Sequence, residues 1–192
     1  MDSVSKELQP LQEGYGPVFH RIYSVVMTLH KAEAQKAMAK LKEDFNHFSP
    51  HLLARFEKTK GQLNQLAQSD EFQIHIVGPW NGPVRVKAVN EWSINLETLE
   101  GHLEAGEIRF ELKKQNEGEY IFEIESLARS RDPIVHFLYD KVPIAKLAQT
   151  EMWTAFCQNF AKVADGVDGK PDVVVDVLTE RKDEETGLWE KI

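Results

Sequence analysis

Five consecutive segments of the chain alternate apolar and polar residues. Phe72, Ile74 and Ile76 alternate with Gln73 and His75, and Val84, Val86 and Ala88 with Arg85 and Lys87. Trp92, Ile94 and Leu96 follow, then Ile108, Phe110 and Leu112, then Tyr120, Phe122 and Ile124. A period of two places one set of side chains on one face of a strand and the other set on the opposite face. The gaps are short: residues 79–83, Asn90-Glu91, 101–106 and 116–118. Connections of that length join antiparallel neighbours, because parallel strands need crossovers of a dozen residues or more. The segments therefore predict a meander with one wet face and one face that something else must cover.

The cover is predicted on the C-terminal side. Asp132-Pro133 is a cap followed by a first-turn proline. Ile134, Phe137, Leu138, Leu147, Met152, Trp153, Phe156, Phe160 and Val163 recur at helical spacing up to about Ala164, with Pro143 expected to kink the helix. On the N-terminal side, Ile22, Tyr23, Val25 and Val26 in the run Phe19–Leu29 favour a strand, against a competing helical reading. The alanine-rich stretch from Lys31 to Phe45 predicts a helix. Ser49-Pro50 predicts the start of a second one, with Leu52, Leu53, Phe56, Leu63 and Leu66 as its apolar anchors.

The expected architecture is α+β. A curved antiparallel sheet of about six strands wraps a long C-terminal helix, and two short helices follow the first strand. The domain is read as residues 17–165, with 1–16 an irregular lead-in and 166–192 a charged tail. Within that tail the β-prone run Val173–Leu178 is expected to pair with a sheet edge of this chain or of another, giving a possible homodimer.

This element order resembles the helix-grip superfamily (SRPBCC), which includes START lipid-transfer domains, polyketide cyclases and birch-pollen-allergen-like proteins. A local likeness is carried by Gly101-His102-Leu103-Glu104-Ala105-Gly106-Glu107-Ile108-Arg109-Phe110 and by Tyr120-Ile121-Phe122-Glu123-Ile124-Glu125-Ser126. It is similar to an uncharacterised branch, a domain of unknown function, in which a Gly-His-Pro-Glu turn leads into a strand. Leu103 stands where that branch has proline. The resemblance implies a cavity between sheet and long helix.

Composition limits the partners. The net charge of the 192 residues is -8, the wrong sign for a protein whose main partner is nucleic acid or an anionic membrane. No stretch approaches the roughly 20 apolar residues of a membrane span. A polar N-terminus and a single cysteine, Cys157, fit a cytoplasmic setting. No metal-ligand spacing, phosphate loop or nucleophile elbow is present, so no cofactor and no metal are expected.

Two constellations remain. Trp92, Phe110, Tyr120 and Phe122 on the inward face, Phe137 and Trp153 on the helix, and Trp80 at a turn suit the wall of a pocket for a hydrophobic small molecule or lipid. The same residues suit a filled core. His102 with Glu104 and Glu107 suits general acid–base chemistry of a cyclase or hydrolase type, or else a solvated hairpin turn. The leading expectation is a non-enzymatic binding domain, with the acid–base enzyme and a protein-interaction module as alternatives.

Overall fold

The computed structural model describes residues 6–76, 82–136, 143–165, 174–184 and 186–192. Tyr15–Thr28 forms strand β1 and Lys31–Glu43 helix α1. Strands β2 (Ala54–Lys60), β3 (Glu71–Ile76), β4 (Gly82–Val89), β5 (Ser93–Thr98), β6 (Glu104–Asn116) and β7 (Glu119–Ser130) follow in the chain. Helix α2 is described over Pro143–Asp165, then β8 over Asp176–Lys182 and β9 over Trp189–Lys191. The nine strands form one sheet, ordered β2-β3-β4-β5-β6-β7-β1-β8-β9, in which every pairing is antiparallel.

The five alternating segments are β3 to β7, and their apolar sets form the inner face. Phe72, Ile74, Val84, Val86, Ile94, Leu96, Phe110, Leu112, Phe122 and Ile124 are all buried. β1 lies beside β7, with Tyr23 opposite Ile124 and Val25 opposite Phe122. α1 starts where the Glu33 carboxylate accepts the His30 backbone N–H (2.7 Å). It buries Ala34, Ala37, Met38 and Leu41, one stripe at helical spacing.

α2 grips the inner face through Met152, Trp153, Phe156, Phe160, Ala161 and Ala164. The Phe122 and Phe160 rings stack at 3.7 Å. Phe156 touches the rings of Phe48, Phe110, Phe122 and Trp153. These aromatics make one continuous core, and dispersion over so many ring contacts is its main glue.

Two expectations are corrected. The sheet has nine strands rather than about six. The segment after Ser49-Pro50 is strand β2, not a second helix. Of the expected helical anchors, Leu52 is 90% exposed and Leu63 78% exposed. Ala54 and Phe56 point inward, while Arg55 points out and Glu57 pairs with the β3 residue His75. The Asn46 side chain bonds both the N–H and the C=O of Phe56 (2.7 and 2.8 Å), doing for the strand what a neighbouring backbone would do. Tertiary pairing thus overrides a run whose apolar spacing suits either element.

The tail run reaches an edge of its own chain. β8 pairs with β1, Leu178 lying opposite Ile22 and Thr179 opposite Arg21. The helix expected from Asp132 begins as a turn at Pro133–His136, where the Asp132 carboxylate accepts the Val135 N–H (2.9 Å). Phe137 and the path into Pro143, including the expected kink, lie outside the described residues.

Candidate functional site

One cavity separates the inner face from α2, and it sits at one end of the sheet. Ile74, Val84, Leu96 and Ile108 line it from β3 to β6, with Met152 and Trp153 from α2. Its polar lining is Thr98, His102, Glu104, Glu107, Ser126 and Gln149. The volume is about 80 Å³, against the roughly 300–1,000 Å³ of pockets that take drug-sized ligands.

The polar end is built by the phase of the strands. In β6, Phe110, Ile108 and Gly106 face inward, so Glu104 does too. In β1, Tyr23, Val25 and Met27 face inward, and the same phase turns Arg21 in. The two meet across the sheet: Arg21 Nη1 lies 3.2 Å from Glu104 Oε1, both side chains nearly buried. Gln149 of α2 donates to the second oxygen, Glu104 Oε2, at 3.4 Å. Burial raises the pKa of the Tyr23 hydroxyl above its ordinary value. Ser126 Oγ and Trp153 Nε1 border this polar end and are buried without a hydrogen-bond partner among the described residues.

His102 sits in the turn before β6. Its Nδ1 lies 2.9 Å from both the backbone N–H and the backbone oxygen of Glu104, accepting from the first or donating to the second according to the ring tautomer. Enclosure of the ring lowers its pKa below the usual imidazole range, outweighing the opposing influence of Glu104, so the ring is neutral at pH 7. The ring edge packs on Gly82, where an added Cβ would fall 2.1 Å from Cδ2. Gly82→Ala is therefore expected to destabilise the fold by about 1–3 kcal/mol by overpacking, measurable as a lower urea midpoint. An unchanged midpoint would show that His102 is free to move away.

The turn is held by Gln9, a residue that no sequence pattern marks. Gln9 Nε2 donates to the backbone oxygens of His102 (2.9 Å) and Glu104 (2.8 Å). Its own backbone N–H donates to Thr98 O at 2.9 Å. The lead-in around Gln9 is thereby laced to the end of the cavity. A glutamine in a polar lead-in carries no pattern that announces such bonds.

The three acid–base candidates do not converge. Glu104 faces the cavity and is engaged by Arg21 and Gln149. Glu107 has the opposite phase, and its carboxylate meets Lys87 Nζ at 2.6 Å. His102, Glu104 and Glu107 all border the cavity, but the Glu107 carboxylate is taken by Lys87. Among the aromatic candidates, Trp153 borders the cavity, and Phe110 packs edge-on against it at 5.7 Å. Phe110 and Phe122 are wholly buried in the core. Tyr120 stacks with Trp92 at 6.4 Å, away from the cavity lining. Trp80 and Phe137 lie outside the described residues. Cys157 is buried beside the Tyr23 carbonyl, and burial pushes its thiol far up, so it acts as a small apolar group. No cluster of metal-ligating side chains occurs among the described residues, and no helix there is long and apolar enough to cross a membrane.

An antiparallel sheet wrapped on a C-terminal helix, with a cavity at their junction, defines a helix-grip protein. Within that class the chain belongs to the family described as "Domain of unknown function (DUF1990)", which it matches over residues 6–159. Solved structures share the fold at low identity. Norcoclaurine synthase from Thalictrum flavum, in complex with dopamine and hydroxybenzaldehyde, is similar with a TM-score of 0.56 and 12% identity, over 82% of this chain and 96% of that one. A hypothetical protein, jhp0584, from Helicobacter pylori gives 0.53 and 11%, over 74% and 86%. The di-domain aromatase/cyclase StfQ of the steffimycin biosynthetic pathway gives 0.52 and 12%, over 82% of this chain and 54% of that one. No curated protein matches the sequence.

Proposed function

We propose that the chain binds a small, mostly apolar molecule carrying one polar group, held between the sheet and α2. The observation that carries the reading is the cavity itself: aliphatic walls closing on Ser126 and Trp153, whose Oγ and Nε1 lack partners among the described residues. Leaving a buried donor or acceptor unpaired costs about 1–3 kcal/mol. A bound group that supplies the missing hydrogen bonds gains that much over one that does not. Trp153 Nε1 only donates, so the group that suits it is an acceptor such as a carbonyl or hydroxyl oxygen. The Arg21–Glu104 pair is neutral overall and therefore favours an uncharged ligand over an ion.

The cavity volume sets the size. About 80 Å³ suits a fragment, and a lipid chain requires α2 to move off the sheet. The acid–base reading has less support, because the Glu107 carboxylate is engaged by Lys87 and that of Glu104 by Arg21.

Phenol and cyclohexanol serve as probes in a thermal-shift titration. Both are expected to raise Tm with concentration, since a ligand that binds only the native state stabilises it by mass action. Ala128 lines the cavity and is 4% exposed. Ala128→Leu is expected to fill the space, with a stability change of about 1–3 kcal/mol, and to abolish the shift. Equal shifts in both proteins, or none in either, would refute the site.

A further inference from the structure

The outer face of the sheet carries a titratable contact that the ligand reading does not use. His20 projects from β1 between two carboxylates on the two neighbouring strands. Its Nε2 lies 2.8 Å from Glu125 Oε1 of β7, and its Nδ1 lies 3.2 Å from Glu180 Oε2 of β8. Trp189 of β9 meets the ring edge-on at 5.8 Å. Asn95 of β5 and the ion-paired Glu107 and Arg109 of β6 line the same groove.

A neutral imidazole has one N–H, and only the imidazolium donates from both nitrogens. With a carboxylate at each nitrogen, loss of the proton leaves a lone pair facing a carboxylate oxygen, so one of the two bonds must break. We propose that His20 is a pH-sensitive latch that fastens the C-terminal hairpin β8–β9 to the body of the sheet. β8 and β9 lie beyond the family match, which ends at residue 159, so the latch joins a separate element to the shared fold. Among the described residues, β8 is the only neighbour of β1 on that edge. Its Thr179 and Val177 lie opposite Arg21 and Tyr23, the residues at the polar end of the cavity. Releasing the latch therefore opens the flank of that end to water.

The direction follows from the charges. Burial lowers the His20 pKa, but hydrogen bonds and charge from Glu125 and Glu180 outweigh it and raise the pKa above the ordinary 6.5. Stabilisation from such a group is complete below the unfolded value and is lost as pH rises through the folded one. The hairpin is thus held below the raised His20 pKa and loosened as pH rises through it. A second tie, from Arg129 to Glu184 at 3.3 Å, is independent of His20 and keeps the hairpin in register.

Amide hydrogen exchange along β8, divided by the intrinsic rate at each pH, tests the latch. ¹⁵N NMR of the His20 ring is measured in parallel. In the wild type, β8 protection is expected to fall several-fold with rising pH, at the midpoint where the ring loses its proton. Glu180→Gln is expected to flatten that profile, because an amide can face either protonation state. Glu184→Gln is expected to lower protection at every pH and keep the profile. Protection unchanged through the His20 titration, or a wild-type profile in Glu180→Gln, overturns the proposal.

Discussion

Arg21→Met is expected to lower the unfolding free energy by about 3–5 kcal/mol, the usual penalty for removing one partner of a buried ion pair. The size follows from what is left behind. Glu104 keeps its place on the inward face of β6, with Gln149 as its remaining side-chain donor. A carboxylate in that position either stays charged without its cation or takes up a proton. Adding Glu104→Leu to Arg21→Met is expected to restore most of the loss, because paired charges replaced by apolar groups of similar volume are often neutral in effect. Urea titrations of the three variants at pH 7 measure this. Two losses that simply add would mean that the residues do not act as a pair. The same double variant would remove the charged pair from the polar end of the cavity, so binding of phenol should weaken more than that of an apolar probe such as benzene.

Phe156→Ala is expected to cost about 3–5 kcal/mol by the same denaturation measurement, as large-to-small changes of buried aromatics do. Phe156 is fully buried, and its ring reaches Phe48, Phe56, Phe110, Phe122 and Trp153. These contacts tie α2, the sheet and the segment after α1 together, so little collapse into the vacated space is possible. The hole should be dry and apolar, and benzene should bind there and recover part of the stability. A loss below about 1 kcal/mol would mean the helix packs loosely on the sheet, unlike the close-packed interior typical of a folded core. Phe156 thus separates the two uses of aromatic residues in this fold, as core here and, among the described residues, as pocket wall at Trp153.

The meander was readable because β3 to β7 each have one dry and one wet face, which the period-two pattern records directly. β2 was not, because Leu52 and Leu63 in turns and Leu66 in a loop surround Ala54 and Phe56 with apolar residues, and the local run then mimics a helix. β8 was half-readable. The β-prone run ends at Leu178, yet the strand extends to Lys182 through charged residues that sit at the margin of the sheet. In β1, apolar residues occupy both faces, as Tyr23 with Val25 and Ile22 with Val26. The phase that turns Arg21 inward is therefore fixed only by pairing with β7.

Of the site, the inward direction of Glu104 follows from Phe110, Ile108 and Gly106, and the same count sends Glu107 outward. Sequence proximity had grouped the two, although neighbours at odd spacing on a strand face apart. The volume of the cavity is a matter of packing, to which no pattern of residue types corresponds. Neither the Gln9 strap nor the His20 latch has a local signature, since each joins residues about 90 to 160 positions apart.

Native mass spectrometry of the protein purified from its host, beside the denatured mass, tests the binding proposal most directly, with Ala128→Leu run in parallel. The expected result is a small non-covalent mass on the wild type, lost on denaturation and missing from Ala128→Leu. A bare chain mass for the wild type, or the same adduct on both proteins, would contradict a ligand in this cavity.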